Sequence, residues 1–249
     1  EPNCRTHKRQ PTGKSINKEQ TMKKCVVLTG AGISAESGLQ TFRDSGGLWE
    51  GYRVEDVCTP EAFARSPQTV IDFYNARRRA AAAAEPNAAH FALADLERAY
   101  DVQIITQNVD DLHERAGSGK VLHLHGELNK LRSTVDENEI LPWQGDQTLS
   151  DRDSRGYPLR PHIVWFGEAV PLIEEAVRLV KAADIVIVVG TSLKVYPAAS
   201  LLHYARFGVP VYLIDPKPNA DVSGVEILAQ TAVRGVPALV AELLRAAER

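Results

Sequence analysis

The sequence predicts an α/β fold, a doubly wound and mostly parallel sheet carrying one small inserted module. Two observations point there. From Met22 onward, short and continuously apolar runs rich in β-branched residues alternate with helical patterns, as expected where helices cover both faces of a sheet. Glycine-rich or polar clusters follow several of those runs, at the strand ends where open α/β sheets place their ligands.

In chain order the predicted strands are Cys25–Thr29, Val102–Thr106, Val121–Leu124, Ile185–Val189 and Val211–Ile214. The predicted helices are Pro67–Ala84, Ala88–Tyr100, Leu172–Ala182, Pro197–Phe207 and Val236–Ala247, with proline near several starts where its missing N–H costs nothing. The run Ala80–Ala84 is helix filler. Residues 1–21 are polar, basic and aperiodic, which predicts a disordered extension, with a basic targeting peptide as the rival reading. Residues 22–249 form the folded domain, and two stretches within it break the alternation. Residues 39–65 carry glycines, aromatics and charges without a period and read as a long ligand-covering loop. Residues 128–160, with Pro142, Gly145, Gly156 and Pro158, read as a small polar module without a core strand.

Composition narrows the partners. A net charge of −3 over 249 residues, with acids and bases interspersed, argues against nucleic acid. No apolar run reaches the roughly 20 residues that span a bilayer, and no secretory leader is visible, so the expectation is a soluble cytoplasmic protein. The three cysteines, Cys4, Cys25 and Cys58, have no paired spacing, so neither a disulfide framework nor a thiolate zinc site is expected.

The run Val26–Thr29 breaks into Gly30-Ala31-Gly32-Ile33-Ser34-Ala35, a glycine turn expected to open a helix and cradle a dinucleotide pyrophosphate. The same pattern also occurs as ordinary turn punctuation. A dehydrogenase would place an acidic residue on a second strand about 20 positions on. Glu50 has that distance, but Asp44–Tyr52 does not read as a strand, so hydride transfer loses ground. In Thr106-Gln107-Asn108-Val109-Asp110, the side chains of Asn108 and Asp110 share a face and suit a ribose hydroxyl and a carboxamide; alternatively they cap a short helix over Asp111–Ala116. His123-Leu124-His125 lacks a third ligand for a metal. A histidine at that strand end suits a general base near neutral pH, against the plainer reading of a hydrogen-bonded structural residue. Gly190-Thr191-Ser192 is a fourth polar cluster on the same rim.

These motifs, taken in order with Thr41-Phe42-Arg43, His125-Gly126-Glu127-Leu128 and Val164-Trp165-Phe166-Gly167-Glu168, resemble the sirtuins, NAD-dependent protein-lysine deacylases, over about residues 23–247. The resemblance implies that NAD is consumed as a co-substrate. The acyl oxygen of a modified lysine attacks C1′ of the nicotinamide ribose, nicotinamide leaves, and a histidine activates a ribose hydroxyl. His125 matches that base. Gln107 and Asn108 match residues holding the nicotinamide ribose, and Asp110 matches the carboxamide partner. Phe42 and Arg43 match the covering loop. Gly30, Ala31, Gly32, Ser34, Gly190, Thr191, Ser192, Asp215 and Ala232 fall in the remaining cofactor-binding set. Asp215 stands where the family more often has asparagine, but a carboxylate still accepts from ribose hydroxyls. The acyl peptide is expected as an added strand between Val164–Gly167, with Val164, Phe166 and Gly167 as contacts, and Leu193–Val195.

Tyr74 and Arg77 stand at i and i+3 of a predicted helix, and this Tyr-x-x-Arg pair resembles the sirtuin subgroup that removes succinyl, malonyl or glutaryl groups. A guanidinium and a phenol suit a distal carboxylate. A solvated basic face with Arg78 and Arg79 is the alternative, and spacing does not say which arginine points inward. The family's four zinc cysteines are missing from residues 126–160, with Ser133 at the first ligand position, so no zinc is expected. A mono-ADP-ribosyltransferase and a non-catalytic NAD or ADP-ribose sensor stay open as alternatives.

Overall fold

The computed structural model describes residues 22–40, 48–49, 51–191, 198–218 and 224–249. The expectations for residues 1–21, Phe42, Arg43, Ser192 and Leu193–Val195 lie outside the described residues.

The chain opens with strand β1 (Lys24–Thr29), followed by two short 3₁₀ turns, Ala31–Ile33 and Ala35–Ser37. A two-strand ribbon, β2 (Leu48–Trp49) and β3 (Tyr52–Arg53), precedes helices α1 (Val54–Val57), α2 (Pro60–Arg65), α3 (Pro67–Ala83) and α4 (Ala88–Leu96). Then come β4 (Asp101–Thr106), α5 (Leu112–Arg115), β5 (Val121–His123), β6 (Gly126–Ser133), β7 (Ile140–Pro142) and β8 (Leu159–Ile163). The last part runs α6 (Ile173–Ala182), β9 (Ile185–Val189), a 3₁₀ segment Ala198–Tyr204, β10 (Val211–Ile214), β11 (Glu226–Leu228) and α7 (Ala232–Ala247).

Six parallel strands form the main sheet in the order β11-β10-β9-β1-β4-β5. Successive strand residues face opposite ways, so a strand covered on both faces must be apolar at every position. In β1, Cys25 and Val27 join Leu93 and Leu96 of α4 and Val236 and Leu239 of α7 in one core layer, while Val26 and Leu28 join Ala176 and Val180 of α6 in the other. Burying each such large side chain stabilises the fold by roughly 1.5–3 kcal/mol.

Several expectations need correction. The glycine turn opens two 3₁₀ turns, not an α-helix, and Pro197–Phe207 is a 3₁₀ segment over Ala198–Tyr204. The α4 helix stops at Leu96, four residues short of Tyr100, whose phenol donates to the Leu243 carbonyl of α7 (3.0 Å). Helix α7 begins at Ala232, ahead of the expected Val236, and β11, a half-exposed edge strand, was not expected at all. Residues 39–65 are not one loop. Thr59 caps α2 by accepting the Ala62 N–H (3.1 Å), with Pro60 in the first turn.

The small module is a three-stranded antiparallel sheet in the order β7-β6-β8. It docks on α3 through Arg78, whose Nε donates to the Leu128 carbonyl (2.7 Å) and whose Nη1 donates to Asn75 Oδ1 (2.7 Å). Leu128, Ile163 and Trp165 share an apolar cluster with Phe73 and Tyr74 of α3. At the module's far end the Ser133 hydroxyl donates to Asp153 Oδ2 (2.6 Å) and accepts from the N–H groups of Val135 and Asp136, while Asp153 Oδ1 accepts from those of Arg155 and Tyr157. Burial works to raise the Asp153 carboxyl, but the Ser133 bond, the two N–H groups and the Arg155 charge outweigh it and hold its pKa below the ordinary carboxylate value. This knot closes turns that the sequence leaves without metal ligands. Among the described residues no three His, Cys, Asp or Glu side chains come together to hold a metal, and no helix is long and apolar enough to cross a membrane.

Candidate active site

The carboxyl ends of β1, β4, β5 and β9 meet at one rim. Two turns interlock there: Gly30 N–H donates to the Val189 carbonyl (3.0 Å) and Gly32 N–H to the Gly190 carbonyl (2.8 Å). A Cβ on Gly32 would stand 2.6 Å from Gly190 Cα, and Gly190 itself has φ +61° with its absent Cβ 2.5 Å from the Gly32 carbonyl carbon. The glycines are therefore demanded by each other.

The turn after β4 carries the polar centre. Asn108 Nδ2 donates to the Gly30 carbonyl and to Ser34 Oγ (both 3.2 Å), and the Ser34 hydroxyl donates to Asp110 Oδ2 (3.2 Å). Asp110 Oδ1 also accepts the Leu112 N–H (3.2 Å), so this carboxylate meets the first turn of α5, whose N-cap residue Asp111 makes no side-chain cap bond, while it lines the cleft. Burial raises the Asp110 pKa, against the opposing bonds from Leu112 and Ser34. Gln107 Oε1 accepts from the Thr191 hydroxyl (3.3 Å), bridging the β4 and β9 ends.

His125 follows β5 with its Nδ1 3.2 Å from the Gln107 carbonyl. That acceptor calls for the proton on Nδ1 and leaves the Nε2 lone pair open as a base. Burial lowers the ring's pKa, with the Gln107 bond opposing, which keeps the imidazole neutral. The next residue, Gly126, has φ +83°, and a side chain there would run into the His162 carbonyl.

Across the cleft stands a second wall. Val164 N–H donates to the His125 carbonyl (2.9 Å), Trp165 N–H to Glu168 Oε2 (2.7 Å) and Phe166 N–H to the Cys58 carbonyl (3.0 Å). Glu168 is gripped by Arg160 (2.6 and 3.1 Å) and Arg132 (3.3 Å), and the Arg160 guanidinium lies 3.5 Å from the Trp165 ring centroid. The small module thus holds the segment Val164–Gly167 by charge and stacking.

A cleft of about 240 Å³ joins both walls: Ala31, Ser34, Gln107, Asn108, Asp110, His125, Tyr74, Arg77, Val164, Phe166 and Gly167 all line it. Gly30, Gly32, Gly190 and Thr191 form the interlocked rim beside it. Asp215, at the end of β10, and Ala232, opening α7, are buried farther along that edge and do not line the cleft. Of the three consecutive arginines, Arg77 lines the cleft, Arg78 is buried against the module, and Arg79 pairs with Asp146 at the surface. The Trp165 indole donates to the Tyr74 hydroxyl (3.0 Å), which in turn donates to Cys58 Sγ (3.5 Å). Cys58, Trp165 and Glu168 were given no role by the sequence, because the contacts to Tyr74 and Arg132 that tie them into the site come from distant parts of the chain.

The family model described as the Sir2 family matches residues 30–197, most of the chain and every residue that lines this cleft. The chain belongs to the Sir2 family. An NAD-dependent protein deacylase of Aggregatibacter actinomycetemcomitans is 60% identical over 201 residues, 81% of this chain and 97% of that protein. A solved Sir2 homologue in complex with ADP-ribose superposes with a TM-score of 0.84 at 41% identity, covering 91% of this chain and 94% of that one. A Sir2 homologue–NAD complex gives 0.82 at 39% identity, covering 96% and 98%. In this Sir2 chain the strand-end rim and the cleft beside it are the candidate active site.

Proposed function

We propose that this chain, an NAD-dependent protein deacylase, acts on lysines carrying acidic acyl groups, succinyl, malonyl and glutaryl, with acetyl-lysine as a secondary substrate, and does so in the cytoplasm. One observation carries the acyl preference: Tyr74 and Arg77 line the cleft that Asn108 and His125 also line. Acyl-lysine proteins or peptides are the partner.

The interlocked turns fit a nucleotide, because backbone alone occupies the space where side chains would fend off phosphates. Gly30, Ala31, Gly32, Gly190 and Thr191 are assigned to its phosphate and adenosine side, with Asp215 and Ala232 beyond them, and Gln107, Asn108 and Asp110 to its nicotinamide side. Bound NAD supplies an electrophilic ribose C1′ and a nicotinamide leaving group. His125 takes a proton from a ribose hydroxyl at Nε2, with Nδ1–H anchored on Gln107.

At the other end, the Arg77 guanidinium pairs with the distal carboxylate of the acyl chain. The Tyr74 hydroxyl accepts from Trp165, so its own proton is directed to the sulfur of Cys58, a weak acceptor that a carboxylate replaces. Burial holds the Tyr74 pKa well above the ordinary phenol value, so it stays a donor. The peptide lies along Val164, Phe166 and Gly167, with Phe166 45% exposed at the cleft mouth. An open Nε2 on a base is unneeded in an NAD sensor and favours catalysis.

The test is a panel of acetyl-, succinyl-, malonyl- and glutaryl-lysine peptides with NAD, read by mass for free lysine and O-acyl-ADP-ribose. Arg77→Met is expected to cut kcat/KM for the acidic acyl peptides by about 100-fold, the scale of losing a charge-assisted pair, with deacetylation within about threefold. An equal loss on acetyl and succinyl peptides overturns the carboxylate pairing.

A further inference from the structure

Two imidazoles follow one another at the end of β5, and the catalytic reading uses only His125. His123 has a side chain 6% exposed, set between two oxygens. Its Nδ1 is 3.0 Å from the Asn108 carbonyl oxygen and its Nε2 is 2.7 Å from Glu114 Oε1. A carbonyl oxygen and an ionised carboxylate can only accept, and a neutral imidazole has a single N–H. A neutral ring would leave one of these contacts as two lone pairs facing each other. The arrangement calls for imidazolium against carboxylate.

The charged and titratable groups around the ring agree. Glu114 and His113 face it from α5, Asp110 from the turn after β4, and Glu127, itself paired with Lys130, from β6. Burial works against the charged ring, but the bond and charge of Glu114, the Asn108 carbonyl and the Glu127 charge outweigh it, so His123 sits above the ordinary imidazole value. Burial likewise works to raise the Glu114 carboxyl, and the His123 bond and charge hold it below.

What the ring grips is the residue at the middle of the site. The Asn108 N–H donates to Thr106 Oγ1 (3.0 Å) and its carbonyl accepts from His123, so the backbone is tied on both sides. Its carboxamide then reaches Gly30 and Ser34 at the cleft. The neighbouring Gln107 carbonyl takes the His125 ring, so two successive carbonyls each hold an imidazole.

We infer that His123 and Glu114 form a positioning ion pair for the nicotinamide side of the site: the imidazolium fixes the Asn108 carbonyl and with it the carboxamide in the cleft, and loss of the ring proton frees that turn. The inference rests on NAD-dependent deacylation but not on the acyl preference. Rising pH should therefore weaken NAD use through His123, separately from the acid-side requirement for a neutral His125.

Glu114→Gln keeps an acceptor oxygen and removes the counter-charge. Its alkaline limb in kcat/KM for NAD is expected to move at least about one pH unit lower, with KM for the acyl peptide within about twofold of wild type. His123→Gln, which offers an amide donor but no titrating charge, is expected to lose about tenfold in kcat/KM for NAD and to lack that alkaline limb. Acetyl and succinyl peptides should fall by the same factor in both variants, which separates this pair from the acyl end. Nitrogen-15 NMR of the histidine rings gives a readout independent of turnover: two protonated ring nitrogens on His123 at pH 7 in wild type, and loss of one at lower pH in Glu114→Gln than in wild type. An alkaline limb that stays in place in Glu114→Gln overturns the inference, and so does a wild-type His123 ring that is neutral at pH 7. The NMR arm decides even if every acyl peptide proves inert, or if His123→Gln fails to fold.

Discussion

At the end of the cleft proposed for the nucleotide the side chains stand on turns that leave parallel strands, whereas at the end proposed for the acyl group they stand on the flank of α3 and on the segment after β8. The first end is positioned by backbone. Gly30, Gly32 and Gly190 lock their main chains together, and Asn108, Gln107 and His125 are tied through their own or each other's carbonyls. The second end is positioned by side-chain packing: the Tyr74 ring touches Phe73 edge-on and lies tilted to Trp165, and Arg160 stacks on Trp165. A backbone-built end holds a co-substrate that does not vary. If Tyr74 and Arg77 receive the acyl group as proposed, a side-chain-built end would let acyl preference change by substitution on one helix while the chemistry stays in place.

The comparison breaks most sharply at the base. His125→Ala is expected to lower kcat about 1,000-fold for every acyl group alike, with little change in thermal midpoint, as nicotinamide release would record. A loss confined to one acyl group would mean that the two ends are not separable. Gly190→Ala is the backbone counterpart. Its new Cβ meets main-chain atoms of Gly32 at a φ that only glycine adopts easily, so a cost of about 2–4 kcal/mol and a fall of about 5–10 °C in Tm are expected, together with weakened NAD binding by calorimetry. A fully stable variant would show that the rim yields, and the claim of a rigid backbone cradle would go with it.

Acid sharpens the same contrast. Under the nucleotide end, burial lowers the His90 pKa to about 4 and holds His113 well below the ordinary value, and His113 Nε2 lies 3.0 Å from Thr29 Oγ1 at the end of β1. Both rings are neutral when folded, while in the unfolded chain each takes up a proton near pH 6.5. Their contribution is therefore complete above about pH 6.5 and is lost as pH falls toward 4. His123 acts in the opposite sense, its contribution being present below the unfolded value and lost as pH rises through the folded one. Urea midpoints should drop between pH 7 and pH 5, with hydrogen exchange rising first around β1 and α4; unchanged midpoints would refute this. The smallest effect belongs to the module's knot. Ser133→Ala leaves the Val135 and Asp136 N–H groups without their acceptor and should cost about 1–2 kcal/mol in thermal denaturation, with kcat/KM for an acetyl peptide within about twofold.

Legibility followed the same division. The runs Ile185–Val189, five buried β-branched residues, and Val211–Ile214, apolar throughout, have their sheet bounds written in the sequence, because strands covered by helices leave little room for a polar position. The strands of the module were missed because β6 carries Glu127, Asn129, Lys130 and Arg132 among its apolar residues, while β7 and β8 are only three and five residues long and contain Pro142 and Pro161. Asn108, Asp110 and His125 were legible because each follows a readable strand. His123, Glu114, Cys58, Trp165 and Glu168 were not, since each matters through a partner that only folding brings near.

Sequence alone determined the parallel α/β core, the order of motifs along one rim and hence family membership, because apolar periodicity and glycine turns act over a few residues. Tertiary structure alone decided which of Arg77, Arg78 and Arg79 enters the cleft. Consecutive side chains leave a helix about 100° apart, and the rotation of α3 about its own axis is set by the packing of Val70, Phe73 and Tyr74 against α1, α2 and the module. The tie between His123 and Asn108 is of the same kind, a contact that exists once β4 and β5 lie side by side.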